Sequence, residues 1–418
     1  MNAYKENALR LVDLLFEAEQ PVYTATKPIL AYSTRTLGNA FADLEAELMP
    51  QILKASKGKA YEQHLSLLRL VLLNLVAVGF SHEQLTIQST PRAGSYLNEK
   101  FGFDQRRVAR IVEALTKHGL LEKVFFGSRT VKRAAGYRPS KELMLRYADF
   151  LYSHTGDFDD YAPIRIKRAG ETVSEPFEGD IVWYSDTESN RATIVAYNEF
   201  MRKFTWARKD VTHRSFGADP FTASRVHTPY QTLVNRRVPV QKQTLLDGQP
   251  IAEPDFQANH TTMLAILYDQ RVTNDPYEAV ASTTGLDRDT VKAVLVRLLG
   301  ANGEQGYNQA RHMLATNTRD LKLSHTQVDD IRRAFYKHIP MLKKHNLLCT
   351  GWGNKLQYLE GQIAMKMMRW AVESQTPILN VHDAYACRVN GELEVHRAML
   401  NARKKVLEEE RKRVTKPI

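Results

Sequence analysis

The sequence predicts an α+β chain in which a mostly helical front half precedes a segment that mixes strands with helices. Three observations carry this. The first 78 residues space their apolar positions as helices do, with Leu9, Leu11, Val12, Leu14 and Leu15 ahead of a Gln20-Pro21 break, helical spacing again from Leu37 to Leu53, and a strongly apolar helix from Tyr61 to Val78. Pro250-Ile-Ala-Glu-Pro-Asp255 reads as a short strand handing over to a helix from Asn259 to Tyr268. Pro377-Ile-Leu-Asn-Val-His-Asp383-Ala-Tyr-Ala-Cys-Arg-Val389 is apolar on both sides of a polar pair, the pattern of a β-hairpin with His382 and Asp383 at its tip.

A chain of 418 residues has room for two or three domains. The expected divisions are a helical region over 1–60, a nucleic-acid-binding unit over 61–150, a linker or thumb-like region over 151–215 and a catalytic domain over 216–418. The apolar share of 43 % is ordinary for a globular protein. The longest apolar run, Leu65 to Gly79, carries Arg69 and Asn74 and is shorter than the roughly 18 residues needed to span a bilayer. The polar start, with Asn2, Lys5 and Glu6, lacks the shape of a signal peptide. Cys349 and Cys387 make neither a disulfide framework nor a zinc site. The expectation is a cytoplasmic chain with no membrane partner. A net charge of +11 favours a polyanionic partner, because each neutralised phosphate releases counterions.

In chain order, Ser81-His-Glu-Gln84 has the form of a cap on a short helix. Asp104 caps a second helix, Asp104 to His118, with Val108, Ile111, Val112 and Leu115 on one face and Arg106, Arg107, Arg110 and Lys117 on the other. Leu120 to Phe126 reads as a strand. A basic turn with Lys132 and Arg133 and a return strand to Tyr137 follow. Helix, turn, helix and basic hairpin is the pattern of a winged helix, which lays its second helix in a DNA groove. The plainer reading is an amphipathic helix with a solvated basic face beside an unrelated hairpin. Further on, the sequence predicts a helix from Ser140 to Tyr152, a loop over Asp157 to Tyr161, a strand over Asp180 to Tyr184 and a helix from Arg191 to Phe204. Leu393 to Arg413 reads as a solvated helix of alternating charge.

The chemistry concentrates between Arg225 and Val389. A carboxylate at a strand end facing a cleft, as at Asp255, is placed to hold a hard cation, and magnesium usually takes one or two carboxylates plus substrate phosphates. Asp383, in an apolar hairpin, would be costly to bury unless paired or bound to a metal. Two such acids on neighbouring strands could hold two metals about 3.5–4 Å apart, the arrangement for in-line phosphoryl displacement. Between them Asp287 caps a helix on which Arg288 and Lys292 lie one turn apart on one face, able to grip phosphates. Taken alone, such a basic pair is most often a solvated face.

In order and spacing these segments resemble the palm and fingers of family A DNA polymerases and of the related single-subunit RNA polymerases. Asp255 to Ala265 matches that family's aspartate on a strand leading into a helix. Arg288 and Lys292 match its Arg and Lys four residues apart. His382 and Asp383 match its His-Asp hairpin. Arg225 with Gln231 resembles the segment ahead of the first motif that contacts template and primer. Tyr358-Leu-Glu-Gly361 with Ala364-Met-Lys-Met-Met368 resembles the Gly-containing helix before the third motif, and Asp330 to Pro340 the helix that follows the fingers helix. The resemblance spans residues 220–395. It implies a right-hand palm with helical fingers, two Mg2+ ions (Mn2+ as the alternative) on Asp255 and Asp383, His382 steadying the primer end, and triphosphate on Arg288 and Lys292. DNA template and primer, with RNA as the alternative, and nucleoside triphosphates are the implied partners. No protein partner follows from it.

The departures are specific. Ala384 stands where the DNA polymerases have Glu and the RNA polymerases Ser. Val296 and Leu299-Gly300 replace the aromatic and the Tyr-Gly that face the incoming base, so Leu299 falls at a nucleotide-binding position. His260 occupies the sugar-gating position, leaving sugar preference open. No carboxylate set suggests a proofreading domain. The expected activity is template-directed nucleotidyl transfer without proofreading. The alternatives are a primase or RNA polymerase with the same palm, or a DNA-binding replication initiator whose palm has decayed.

Overall fold

The computed structural model describes residues 9–14, 16, 26–28, 41–79, 84–87, 104–125, 135–146, 163–166, 187–204, 212–216, 224–228, 230–232, 241–271, 275–316 and 323–414. Its helices and three small sheets are compatible with the expected α+β class.

The front half begins with strand β1 (Thr26–Pro28), helices α1 (Ala42–Ile52) and α2 (Lys59–Gly79), and strand β2 (Gln84–Ile87). Helix α3 (Gln105–Lys117), strands β3 (Leu121–Phe125) and β4 (Ala135–Pro139) and helix α4 (Lys141–Arg146) complete it. Leu44, Leu48, Leu67, Leu68, Val71, Leu75, Ile111 and Leu115 are buried in the core, as their spacing requires. An ion pair fastens α2 to α1, with Arg69 Nε 2.6 Å and Nη2 2.7 Å from the two carboxylate oxygens of Glu45. Asp104 caps α3 as expected, accepting from the backbone N–H groups of Arg106 and Arg107. The strand and return strand are also where the sequence puts them.

Two expectations are corrected. Gln84 begins a strand, not a capped helix: β2 pairs antiparallel with β4, and its Leu85 is buried. Pairing with a partner outweighs the local capping pattern, a common way for tertiary structure to override propensity. The expected boundary at residue 60 also runs through one sheet of order β1-β2-β4-β3, because β1 pairs parallel with β2.

Strand β5 (Ile164–Ile166), helix α5 (Thr187–Met201), strand β6 (His213–Phe216) and strand β7 (Arg225–His227) follow. Helix α5 starts four residues before the expected Arg191. The three strands form a sheet of order β5-β6-β7, and the expected boundary after residue 215 falls within β6. Of the expected helix from Ser140 to Tyr152 the described part is Lys141–Arg146. The expected loop at Asp157 to Tyr161 and strand at Asp180 to Tyr184 lie outside the described residues.

Next come strands β8 (Leu245–Leu246) and β9 (Gln249–Ala252), then helices α6 (Asn259–Leu267), α7 (Pro276–Thr284), α8 (Arg288–Gly300), α9 (Gly303–Thr316), α10 (His325–His338) and α11 (Pro340–Lys344). Helix α12 (Trp352–Glu373), strands β10 (Leu379–Val381) and β11 (Ala384–Arg388) and helix α13 (Glu392–Val414) close the chain. The strands make an antiparallel sheet of order β10-β11-β9-β8. Helix α12 runs among α5, α8, α13 and β7. Among the described residues no helix is long and apolar enough to cross a membrane.

Two glycines let α12 approach its neighbours. A Cβ on Gly353 would stand 2.9 Å from the Cα and N of Gly300, where α12 meets α8. A Cβ on Gly361 would stand 2.7 Å from both Arg214 Nη2 and the Ser224 carbonyl oxygen. Arg214 is fully buried, with Nε donating to Ser224 Oγ at 2.6 Å and Nη1 to Asn190 Oδ1 at 3.1 Å, so it cannot easily yield. Gly361→Ala is therefore expected to lower stability in chemical denaturation by about 1–3 kcal/mol. Gly391→Ala, where an added Cβ meets nothing within 4 Å, should stay within about 0.5 kcal/mol of the parent.

Candidate active site

Two tight turns of the last sheet place the acids. Between β8 and β9 stand Asp247 and Gly248, with φ of 51° and 72°. Positive φ at both positions is the two-residue turn that suits right-twisted antiparallel strands. Between β10 and β11 stand His382 and Asp383, with Val381 paired to Ala384. His382 adopts φ 56°, a region that His enters more readily than most non-glycine residues. Asn380 Nδ2 donates to the His382 carbonyl oxygen at 3.0 Å and holds the turn.

Strand β11 pairs antiparallel with β9, Cys387 opposite Ala252 and Arg388 opposite Ile251. The same pairing continues as an isolated bridge between Asp255 and Ala384, and the Tyr385 N–H donates to the Pro254 carbonyl oxygen at 3.1 Å. Asp255 therefore sits across the sheet from the residue next to Asp383. The two acids, 128 positions apart in sequence (383 − 255), meet at one end of one sheet.

The electrostatics follow from that meeting. Asp383 is pushed up to about 6, first by burial, then by the charges of Glu360 and Asp255. Asp255 is also raised, chiefly by desolvation with a smaller push from Glu360, against the opposing effects of the Phe256 N–H and Lys292. Glu360, from α12, acts electrostatically on both aspartates, and the sequence does not single it out, because Tyr358-Leu-Glu-Gly361 draws attention to its glycine. Its carboxylate lies 2.9 Å from His260 Nε2 and accepts from Asn259 Nδ2 at 3.1 Å, and the His260 and Glu360 side chains are each only 12 % exposed. Burial alone would raise Glu360, but the hydrogen bond and charge of His260, the charge of Arg225 and the Asn259 bond hold it below its ordinary range. His382 is lowered by partial enclosure and by Arg225, with Glu360 opposing.

Other expected residues fall into three groups. Arg225, on β7, faces this cluster, and its Nε is buried with no hydrogen-bond partner among the described residues. Gln231 is tied into the scaffold beside it, Nε2 donating to the Val226 carbonyl oxygen at 3.1 Å and lying 3.4 Å from Asn380 Oδ1. Helix α8 is capped by Asp287 as expected, through the Thr290 N–H at 2.8 Å. Lys292 is exposed on it and its charge reaches Asp255. Arg288 is joined to Asp275 rather than free. Leu299 is corrected: it is fully buried in the core and offers no surface to a nucleotide, while Val296 on the same helix is 40 % exposed. Helical geometry makes the difference, since 295, 298 and 299 share the buried face. On α3, Arg106 and Arg110 are exposed and Arg107 lies 3.0 Å from Asp104. Lys132 and Arg133 lie outside the described residues.

The donor set fits magnesium. A half-buried Asp383 whose ionisation is opposed by Glu360 and by the exposed Asp255 is what a divalent cation relieves. Among the described residues no group of three or more His, Cys, Asp or Glu is arranged to hold a metal by itself. Magnesium on one or two carboxylates is completed by water and substrate phosphates. Compared with protein-family models and with curated proteins, the chain matches none.

The raised Asp383 gives a signed expectation. Its carboxyl is protonated in both folded and unfolded chains below about pH 4, and above about pH 6 the folded chain carries the full cost of the buried charge. Asp383→Asn should therefore stabilise the metal-free protein by roughly 1–2 kcal/mol at pH 7.5. The gain should fade as pH falls from about 6 to about 4. Millimolar Mg2+ should raise the melting temperature of the parent but not of Asp383→Asn. Differential scanning calorimetry across pH reads both effects.

Proposed function

We propose that the protein is a template-directed nucleotidyltransferase of the family A polymerase type, without proofreading, acting on a primed nucleic-acid strand. The observation that carries the reading is the bridge between Asp255 and Ala384, which brings Asp255 beside Asp383 in a region where burial already disfavours their charges. Acids placed so are suited to hold Mg2+, with Mn2+ as the alternative. When bound, the ions supply Lewis acidity to the primer 3′-hydroxyl and to the departing pyrophosphate.

The chain's own residues take the remaining roles. Lys292, exposed and facing Asp255, draws the triphosphate towards the acids. Arg288 offers a planar fork for phosphate oxygens. His382, at the rim, steadies the primer end, and its lowered pKa keeps it neutral near pH 7. Arg225, held near His382 and Glu360, takes a backbone phosphate of the strand. The exposed Arg106 and Arg110 on α3, ahead of the β3–β4 hairpin, suit a winged-helix contact with duplex DNA.

Pure protein with primed template, Mg2+ and nucleotides should extend the primer. Asp255→Ala and Asp383→Ala should each reduce extension by about a thousandfold or more, equivalent to about 4 kcal/mol of transition-state stabilisation. Extension that survives Asp383→Ala refutes the site, and none with any nucleotide set favours a DNA-binding protein without polymerase activity. Unprimed template with ribonucleotides separates a primase. Arg106→Ala and Arg110→Ala should each weaken duplex binding about equally for all sequences and reduce the salt slope by about one, measured by fluorescence anisotropy.

A further inference from the structure

We propose that Asp275 is a positioning residue for phosphate recognition: it holds one edge of the Arg288 guanidinium so that the opposite edge faces the phosphates of a nucleoside triphosphate. The inference rests on the polymerase reading and deepens it by naming what orients the clamp.

The two oxygens of the Asp275 carboxylate serve two elements. Oδ1 accepts from the Tyr277 N–H at 2.9 Å and caps α7, whose first residue is Pro276. Oδ2 receives Arg288 Nε at 2.6 Å and lies 2.6 Å from Nη2. Helix α7 ends on Gly285 at φ 68°, and α8 begins three residues later on its Asp287 cap, so the short link fixes Arg288 against Asp275.

The guanidinium lies over the ring of Tyr277 at 5.3 Å, and Tyr277 is 1 % exposed. Thr261 Oγ1, on α6, donates to the Tyr277 hydroxyl at 3.3 Å. Helix α6 begins four residues after Asp255, so a chain of contacts joins the guanidinium to the acids. The burial-raised Tyr277 hydroxyl also feels the charge of Asp383.

The fork is half used. Asp275, at 16 % exposure, takes the Nε edge. Asp289 lies 3.7 Å from Nη1, but at 92 % exposure it is screened by solvent. Glu278, 3.8 Å from Nε, is 62 % exposed. A guanidinium presents five donors in a rigid plane, so a carboxylate on one edge leaves a second edge for an anion and stops the long side chain from wandering. A plain helix-to-helix tie would explain the bond to Asp275. It would not explain a cap, a stacked ring and a link to α6 all converging on one arginine that keeps an open edge.

The test uses the full chain and two readouts. One is equilibrium binding of radiolabelled nucleoside triphosphate with Mg2+; the other is single-nucleotide incorporation on primed template. Asp275→Asn keeps a good helix cap and removes the charge. It should weaken triphosphate binding and raise KM on the order of tenfold, a larger change than any fall in kcat. In an Arg288→Lys background the same change should alter binding less than about twofold, because the shared partner is gone. Asp275→Ser, a second capping residue, should repeat the result if Asp275→Asn folds poorly. Unchanged triphosphate affinity, or an equal loss in both backgrounds, overturns the inference while leaving polymerase activity standing. A parent chain that binds no triphosphate overturns both readings.

Discussion

The backbone pairing of β11 with β9, continued one bridge further to Asp255, is the constraint on which the candidate site depends. A strand pairing fixes side chains by register, and a slip of one residue would turn Asp255 to the other face. Here the register is held from both ends: the two-residue turn at Asp247-Gly248 sets β9 against β8, and the Asn380–His382 contact sets the turn before β11. The Tyr385 N–H bonded to the Pro254 carbonyl oxygen locks the last step. Proline at 254 has no N–H to offer the ladder, and its carbonyl is the group used.

Around this pair the chain balances charge rather than removing it. Glu360 adds a third negative charge near the aspartates, and His260, Asn259 and Arg225 keep it ionised. An uncompensated cluster of acids would protonate or unfold. These groups steady Glu360 while Asp383 keeps a raised pKa. Ala384 supplies no acid in the hairpin, and the additional carboxylate near the site comes from a helix instead.

The scaffold makes close approach possible through small residues at crossings. Gly353 and Gly361 allow α12 to press on α8 and on the sheet of β6 and β7. The same helix carries Glu360 to His260 and Asn259 and brings Tyr358 to the buried Arg214, 5.7 Å from ring to guanidinium. The front half, with its own sheet and a capped basic helix, is built by ordinary amphipathic packing.

What the sequence determined by itself were the local elements with strong internal signals. The caps at Asp104 and Asp287, the hairpin tip at His382 and Asp383, the strand into helix after Asp255, and the long helices are legible because caps, turns and periodicity act over a few residues. Tertiary structure decided the rest. It made Gln84 a strand through its partner β4, joined segments across residues 60 and 215 into sheets, buried Leu299, tied Arg288 to Asp275 and brought Glu360 to the aspartates. Except for Leu299, whose helical spacing with Leu295 and Leu298 already marks a buried face, these depend on pairings and contacts that no local pattern encodes, because only backbone register and helix crossings bring the groups within bonding distance.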